Sequence, residues 1–154
     1  MVSLRPMLAP APCVQVALLL LLGCAGGGPG ESPVATVEYF LSAMDRSDTD
    51  VSGLRDAYGV LDAGAKRALQ ERALRAGSLA GRDFEPWRML AQGRFRLRFE
   101  PAPAGGMSAR IDGDEAVVLV KGVRPGRRAE IPLVRERGGW RIKLEIPAMP
   151  KGAQ

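Results

Sequence analysis

The chain has 154 residues, 22 basic against 17 acidic side chains, and no histidine. This length suits one domain with its own core. Because there is no histidine, Ser–His and Cys–His nucleophile systems are excluded. Both cysteines, Cys13 and Cys24, lie near the N-terminus, so the rest of the chain lacks both histidine and cysteine, two favoured ligands of transition metals. The basic balance is modest and spread along the chain, which does not indicate nucleic-acid binding.

The N-terminal region has the order of a secretory signal peptide. One cation, Arg5, precedes an apolar run from Val14 to Leu22, and small residues follow the run. The run is shorter than the roughly 20 residues that a helix needs to cross a bilayer, so it does not indicate a transmembrane anchor. We therefore predict that residues 1–23 form a signal that is absent from the mature protein.

The end of the apolar run, Leu21-Leu22-Gly23-Cys24, resembles the lipobox of bacterial lipoproteins. The resemblance implies cleavage between Gly23 and Cys24, and attachment of lipid, with acyl chains such as palmitate, to the cysteine. Leu22 departs from the pattern, since a small residue is more common there. Ala25 is not the aspartate that retains many lipoproteins in the inner membrane, which implies an outer-membrane anchor and a domain in the periplasm. An ordinary signal peptide that contains a cysteine is the alternative.

The residues after Cys24 divide into a tether, a domain and a tail. Residues 24–31 are glycine-rich and are predicted to be a flexible tether. The domain is predicted over residues 32–147, and residues 148–154 are predicted to be a C-terminal tail. Ser32-Pro33 is typical of a helix start, and the apolar spacing that follows predicts a helix that ends near residues 45–47.

Three further helices are predicted from apolar spacing and capping residues. The first lies around Leu54–Leu61. The second follows Asp62, which can cap it, and stops at Gly77. The third is short, covers Glu85–Leu90, and ends by Gly93.

A pattern between the first two helices resembles an EF-hand calcium loop. Its first, third, fifth and ninth positions hold Asp48, Asp50, Ser52 and Asp56, but the twelfth holds Gly59 where a bidentate glutamate should stand. Two of about seven ligand oxygens are therefore missing, which predicts poor affinity. The same residues are typical of helix starts and turns, so we interpret the stretch as a solvated turn and keep a calcium-binding module as a third hypothesis.

From Arg94 the hydrophobic period changes from that of a helix to that of a strand. In "RFRLRFE" the apolar residues Phe95, Leu97 and Phe99 share one face, which predicts a first strand. The other face carries Arg94, Arg96, Arg98 and Glu100. The three arginines are candidates for binding an anionic partner. The alternative is the ordinary solvation of an outer strand face or of a sheet edge.

Four more strands complete the predicted sheet. They are expected at Met107–Ile111, Glu115–Val123, Ala129–Glu136 and Trp140–Ile146. The short glycine-containing connections between them join only antiparallel neighbours, and they include Asp112-Gly113, Arg124-Pro125-Gly126 and Gly138-Gly139. Pro132 interrupts the fourth strand of the sheet and predicts an edge or a bulge there.

Helices followed by an antiparallel meander predict an α+β domain in which the helices pack on one face of a curled sheet. At this level the chain resembles the nuclear-transport-factor-like fold, also called SnoaL-like, and the small bacterial lipoproteins of unknown function built on it. The segments that carry the resemblance are "SPVATVEYFLSAMDRSD", "LDAGAKRAL" and "FEPWRMLAQGRFRLRFEP". The resemblance implies a cone-shaped domain, and a generic α+β domain is the alternative.

The leading functional hypothesis is a non-enzymatic, membrane-anchored lipoprotein whose domain binds an envelope protein partner or a small ligand. No phosphate loop or dinucleotide fingerprint is present, so no cofactor is expected. The alternative is a pocket enzyme of the isomerase or hydratase type that uses carboxylates and tyrosines for acid–base chemistry. The residues available for it are Asp45, Glu100, Asp112, Tyr39 and Tyr58. Trp87 and Trp140 are predicted to be core residues.

Overall fold

The computed structural model describes residues 28–90, 95–103 and 105–148 of the chain. The predicted signal peptide and Cys24 lie outside these ranges. The same is true of Arg94 from the arginine row, of Gly93 at the end of the predicted short helix, and of most of the predicted tail.

Helices form the N-terminal half of the domain, as predicted. They are α1 (Pro33–Arg46), α2 (Ser52–Gly59), α3 (Ala63–Ala80) and a short 3₁₀-helix (Pro86–Leu90). The Ser32 hydroxyl caps α1 by accepting a hydrogen bond from the Ala35 amide at 3.1 Å. The Asp62 carboxylate caps α3 by accepting the amides of Gly64 and Ala65, each at 3.1 Å.

The predicted end of α3 at Gly77 is wrong. The helix continues to Ala80, and the residue that ends it is Gly81, whose φ of 64° is left-handed. A glycine inside a helix costs only about 1 kcal/mol relative to alanine, which good helix formers on both sides can offset. The left-handed conformation after the last turn, rather than the first glycine in sequence, ends the helix.

Four antiparallel strands form the C-terminal half. They are β1 (Met107–Asp112), β2 (Glu115–Lys121), β3 (Arg128–Glu136) and β4 (Gly139–Ile142), and their order in the sheet is the same as in the chain. The predicted α+β class and the antiparallel meander are therefore confirmed. The sheet is open, with β1 and β4 at its two edges.

The predicted first strand, "RFRLRFE", is wrong in its described part. Residues 95–100 adopt no strand, although their burial alternates as the pattern requires, with Phe95, Leu97 and Phe99 half-buried and Arg96 and Arg98 exposed. Alternation needs only one buried face, whereas a strand needs a neighbour to receive its hydrogen bonds. The first residue after this segment that pairs with a neighbouring strand is Pro101, which forms an isolated bridge with Gly122.

The edge or bulge predicted at Pro132 is also wrong. Pro132 lies within β3, where it pairs with Val117 of β2, and β3 has β4 on its other side. The last residue pair between β3 and β4 is Leu133–Ile142, so the ladder needs no amide donor at Pro132. The Pro132 carbonyl still accepts the Lys143 amide at 2.9 Å.

The core lies between the helices and the inner face of the sheet. The largest fully buried side chains come from both layers, and both predicted core tryptophans, Trp87 and Trp140, are confirmed as buried. The fully buried set includes Val37, Leu61, Leu69, Leu90, Val118, Val120, Leu133 and Ile142. No helix within the described ranges is long and apolar enough to cross a membrane.

The end of the predicted tether is fixed to the domain. The Gly30 amide donates to the Thr36 hydroxyl at 3.0 Å, and the Gly30 carbonyl accepts the Trp140 amide of β4 at 2.9 Å. Thr36 is fully buried and its hydroxyl donates to the Ser32 carbonyl at 2.7 Å. Residues 28–31 thus differ from a flexible tether because α1 supplies a buried acceptor and β4 a donor for Gly30.

Two glycines of α2 are expected to respond in opposite ways to alanine. A Cβ on Gly53 would overlap the Ala43 carbonyl oxygen of α1 and lie 2.8 Å from the Ser47 nitrogen, whereas a Cβ on Gly59 meets no atom within 4 Å. Gly53→Ala should therefore lower the free energy of unfolding by about 1–3 kcal/mol, the usual cost of overpacking. Gly59→Ala should raise it by about 0.4–1 kcal/mol. Urea unfolding followed by circular dichroism measures both, and a stable Gly53→Ala variant would contradict the close α1–α2 approach.

Candidate functional site

A cleft of about 230 Å³ lies between residues 98–100 and the turn that joins β2 to β3. We call it the arginine cleft. Its lining residues are Arg98, Phe99, Glu100, Val123, Arg124 and Arg127. The lining residues thus include three arginines, one glutamate and one phenylalanine.

The turn of the arginine cleft is built by Arg124-Pro125-Gly126-Arg127. The Arg127 amide donates to the Arg124 carbonyl at 3.2 Å, and Gly126 has a φ of 79°. Proline at the second position and a positive φ at the third are the pattern of a type II turn. The first and last Cα atoms of a β-turn lie within about 7 Å, so the turn places Arg124 and Arg127 side by side.

The opposite wall is held against this turn by backbone hydrogen bonds. The Val123 amide donates to the Glu100 carbonyl at 3.0 Å, which holds this wall against the turn, whereas the Gly122 amide donates to the Arg127 carbonyl at 2.8 Å and closes the turn itself. A Cβ on Gly122 would lie 2.8 Å from Cδ2 of Phe99 and 2.7 Å from Cβ of Arg127. Glycine at this position therefore lets the Phe99 ring and the Arg127 stem approach each other.

The charge of the arginine cleft is locally positive. Its three arginines are exposed, and Glu100 is its only lining carboxylate. In the part of the chain that the structure describes, ion pairs join Arg46–Asp56, Asp48–Arg96 and Glu115–Lys143, and none includes an arginine of the cleft. Because neighbouring like charges repel, an anion placed among these guanidiniums would relieve that repulsion.

The predicted arginine row does not form one site. Arg96 donates to the Asp48 carboxylate at 2.6 Å, to the Met44 carbonyl at 2.9 Å and to the Ser47 hydroxyl at 3.0 Å. Its hydrogen bond holds the pKa of Asp48 below the usual range. Arg96 therefore secures the C-terminal end of α1, and of the row only Arg98 reaches the arginine cleft, while Arg94 lies outside the described residues.

The structure does not bring the calcium-loop residues together. Asp48 pairs with Arg96, Asp56 pairs with Arg46 at 2.8 Å, and Asp50 accepts the Ser52 amide at 2.9 Å. The hydrogen bond from the Ser52 hydroxyl also lowers the pKa of Asp50. The described ranges contain no group of three or more acidic residues placed to hold a metal ion. The physical reason is that α2 begins at Ser52, so Asp56 lies on a helix instead of returning toward a loop.

The candidates for acid–base chemistry lie on separate surfaces. Asp45 lines another cavity, of about 240 Å³, with Arg96 and Leu97, whereas Glu100 lies in the arginine cleft and Asp112 lies at the end of β1. Within the described part of the chain, no hydrogen bond joins a tyrosine hydroxyl to a carboxylate. Tyr39 lies on α1. Lys66 Nζ lies 5.5 Å from the centre of the Tyr58 ring, and burial raises the pKa of the Tyr58 hydroxyl.

Sequence reasoning missed Arg124 and Arg127 as site residues. The "RPG" stretch identified a turn, and a turn with arginine at both ends does place two cations together. What the sequence lacked was the pairing of residues 100–102 with residues 121–123, which brings Arg98 to the same turn.

Comparison of the chain with protein-family models, with curated proteins and with solved structures gives no match. The assignment of a function therefore starts from the arginine cleft and from the N-terminal sequence.

Proposed function

We propose that the protein is a membrane-anchored lipoprotein of the cell envelope, without enzymatic activity, whose domain binds an anionic ligand or partner at the arginine cleft. The observation that carries the binding proposal is that Arg98, Arg124 and Arg127 line one cleft and that none of them has an ion-pair partner among the described residues. The lipobox-like residues ending at Cys24 support the anchor. The same resemblance supports an anchor in the outer membrane and a domain in the periplasm.

We also propose that the domain adopts the nuclear-transport-factor-like cone. The support is the order of its elements, since α1, α2 and α3 precede the whole meander and share one hydrophobic core with it. The contacts of α1 with β1, β2 and β4 place this helix across the sheet, as a cone closed by its first helix requires.

The geometry supports binding better than catalysis. An isomerase or hydratase of the predicted type needs a carboxylate and a tyrosine within hydrogen-bond reach in one cavity. Asp45, Glu100 and Asp112 line different cavities, and Tyr58 lies against Lys66. The arginine cleft instead offers guanidinium groups, which donate hydrogen bonds to an anion and accept none.

Native mass spectrometry of the full protein, extracted from membranes in a mild detergent, tests the binding proposal. We expect an extra mass that disappears on denaturation. The R98Q/R124Q/R127Q variant should lose this mass. The R67Q/R75Q/R110Q variant removes the same charge from exposed arginines outside the cleft and should keep it. Absence of an extra mass in the unmodified protein, or equal retention in both variants, would contradict the proposal.

A further inference from the structure

We infer that the ligand of the arginine cleft carries a phosphate group next to hydroxyl groups, as a sugar phosphate or a phosphoglycerol headgroup does. This inference rests on the proposed binding function and adds the chemical class of the ligand. Three features of the arginine cleft carry it: the guanidinium groups, the Glu100 carboxylate and the Phe99 ring.

The guanidinium groups select phosphate. A guanidinium presents planar pairs of N–H donors that match the oxygens of a phosphate, and it does so better than an ammonium group. Arg124 and Arg127 come from the two ends of one turn, while Arg98 comes from the opposite wall. A tetrahedral anion between them would be approached from two sides, as multidentate binding requires.

The Glu100 carboxylate selects against a bare phosphate. An ionised carboxylate only accepts hydrogen bonds, and it repels a second anion at short range. It gains a hydrogen bond only when the ligand brings a donor beside its phosphate, and a hydroxyl is such a donor. A polyol phosphate therefore satisfies both the arginines and Glu100, whereas inorganic phosphate satisfies the arginines alone.

The Phe99 ring and the size of the arginine cleft fit a small carbon framework. Phe99 is half-buried, and Gly122 lets its ring lie close to the turn, so the cleft has an aromatic residue among its polar lining residues. Its volume of about 230 Å³ lies below that of sites for drug-sized ligands, which start near about 300 Å³. The cleft thus suits one sugar or glycerol unit with its phosphate.

Isothermal titration calorimetry on the full protein in a polyoxyethylene detergent tests the inference. The probes are inorganic phosphate, glucose 6-phosphate, and glycerophosphoglycerol, the deacylated headgroup of phosphatidylglycerol. We expect the two polyol phosphates, or one of them, to bind about tenfold or more tightly than inorganic phosphate, since the charged Glu100 adds a hydrogen bond to one class and repulsion to the other. Preference for glucose 6-phosphate indicates a soluble or glycan source, and preference for glycerophosphoglycerol a lipid source.

Two sets of variants make the test specific. Glu100→Gln should increase the affinity for inorganic phosphate several-fold and narrow the difference between its affinity and that of the polyol phosphates. A purely structural role of Glu100 would not produce this change. R98Q/R124Q/R127Q should lower the affinity for all three probes at least tenfold, and R67Q/R75Q/R110Q should leave these affinities unchanged. Melting curves by circular dichroism verify that each variant is folded.

The inference is overturned if inorganic phosphate binds as tightly as both polyol phosphates, if no probe binds, or if the two triple variants weaken binding equally. If native mass spectrometry shows a ligand that is lost in R98Q/R124Q/R127Q while no probe binds in calorimetry, the proposed function stands and the phosphate class of ligand is rejected. Absence of both would reject the two proposals together.

Discussion

Cys24→Ala is expected to abolish fatty-acid labelling of the protein and to leave an unprocessed precursor. The reason is chemical, because the acyl groups need the thiol of the residue that follows the cleavage point, and alanine has none. Each buried methylene group of an acyl chain contributes about 0.8 kcal/mol to membrane binding. One acyl chain therefore holds a protein only marginally, and several acyl chains hold it stably. Radioactive palmitate labelling in a bacterial host, followed by gel electrophoresis, measures both effects.

Cys13→Ala is the matched control for this experiment. It removes the other cysteine of the chain, which lies within the predicted signal, and should leave labelling and processing intact. Labelling that survives in Cys24→Ala, or labelling lost only in Cys13→Ala, would refute the lipobox interpretation and with it the anchored function.

Leu69→Ala is expected to lower the free energy of unfolding by about 2–5 kcal/mol, as for other fully buried leucines. Leu69 is completely buried, and the other buried residues of α3 are the alanines Ala65 and Ala73. The substitution therefore leaves α3 with only methyl groups facing the core. Against a typical total stability of about 5–15 kcal/mol, the loss would be a large fraction.

Leu74→Ala on the same helix is the control for Leu69→Ala. Leu74 is 68% exposed, so the same change of residue removes little buried area and should alter stability by less than about 0.5 kcal/mol. Urea unfolding curves with a common slope compare the two variants. Similar midpoints for both would mean that α3 does not pack through Leu69.

The starts of the helices could be predicted because capping is local. Ser32 and Asp62 accept amides only two or three residues ahead, so a few letters of sequence contain the whole interaction. The end of α3 depends on which glycine becomes left-handed, and Gly77 and Gly81 look alike in that respect. Local sequence therefore predicted the beginning of α3 and missed its end.

The sheet and the site were harder to predict because they depend on distant partners. Alternation from Phe95 to Phe99 correctly predicted which side chains are half-buried, but it could not show that this segment lacks a neighbouring strand. In the same way, three arginines at alternate positions suggested one anion site. Arg96 instead pairs with Asp48, 48 positions away, while Arg98 lines a cleft beside a turn of which the sequence had indicated only Arg124-Pro125-Gly126.

The attachment of Gly30 to β4 limits how the domain would lie on a membrane if the chain is acylated at Cys24. For a chain acylated at Cys24, five residues separate Cys24 from Gly30, and the six chain steps span at most about 22 Å. Gly30 bonds to Trp140, which pairs with Arg135 at one end of β3, while the arginine cleft lies beyond Arg128 at the other end, about 23 Å away along the strand. In a chain anchored at Cys24, this short connection at one end of the sheet would place the cleft at the end far from the bilayer, where ligands from the aqueous side would reach it before lipid headgroups.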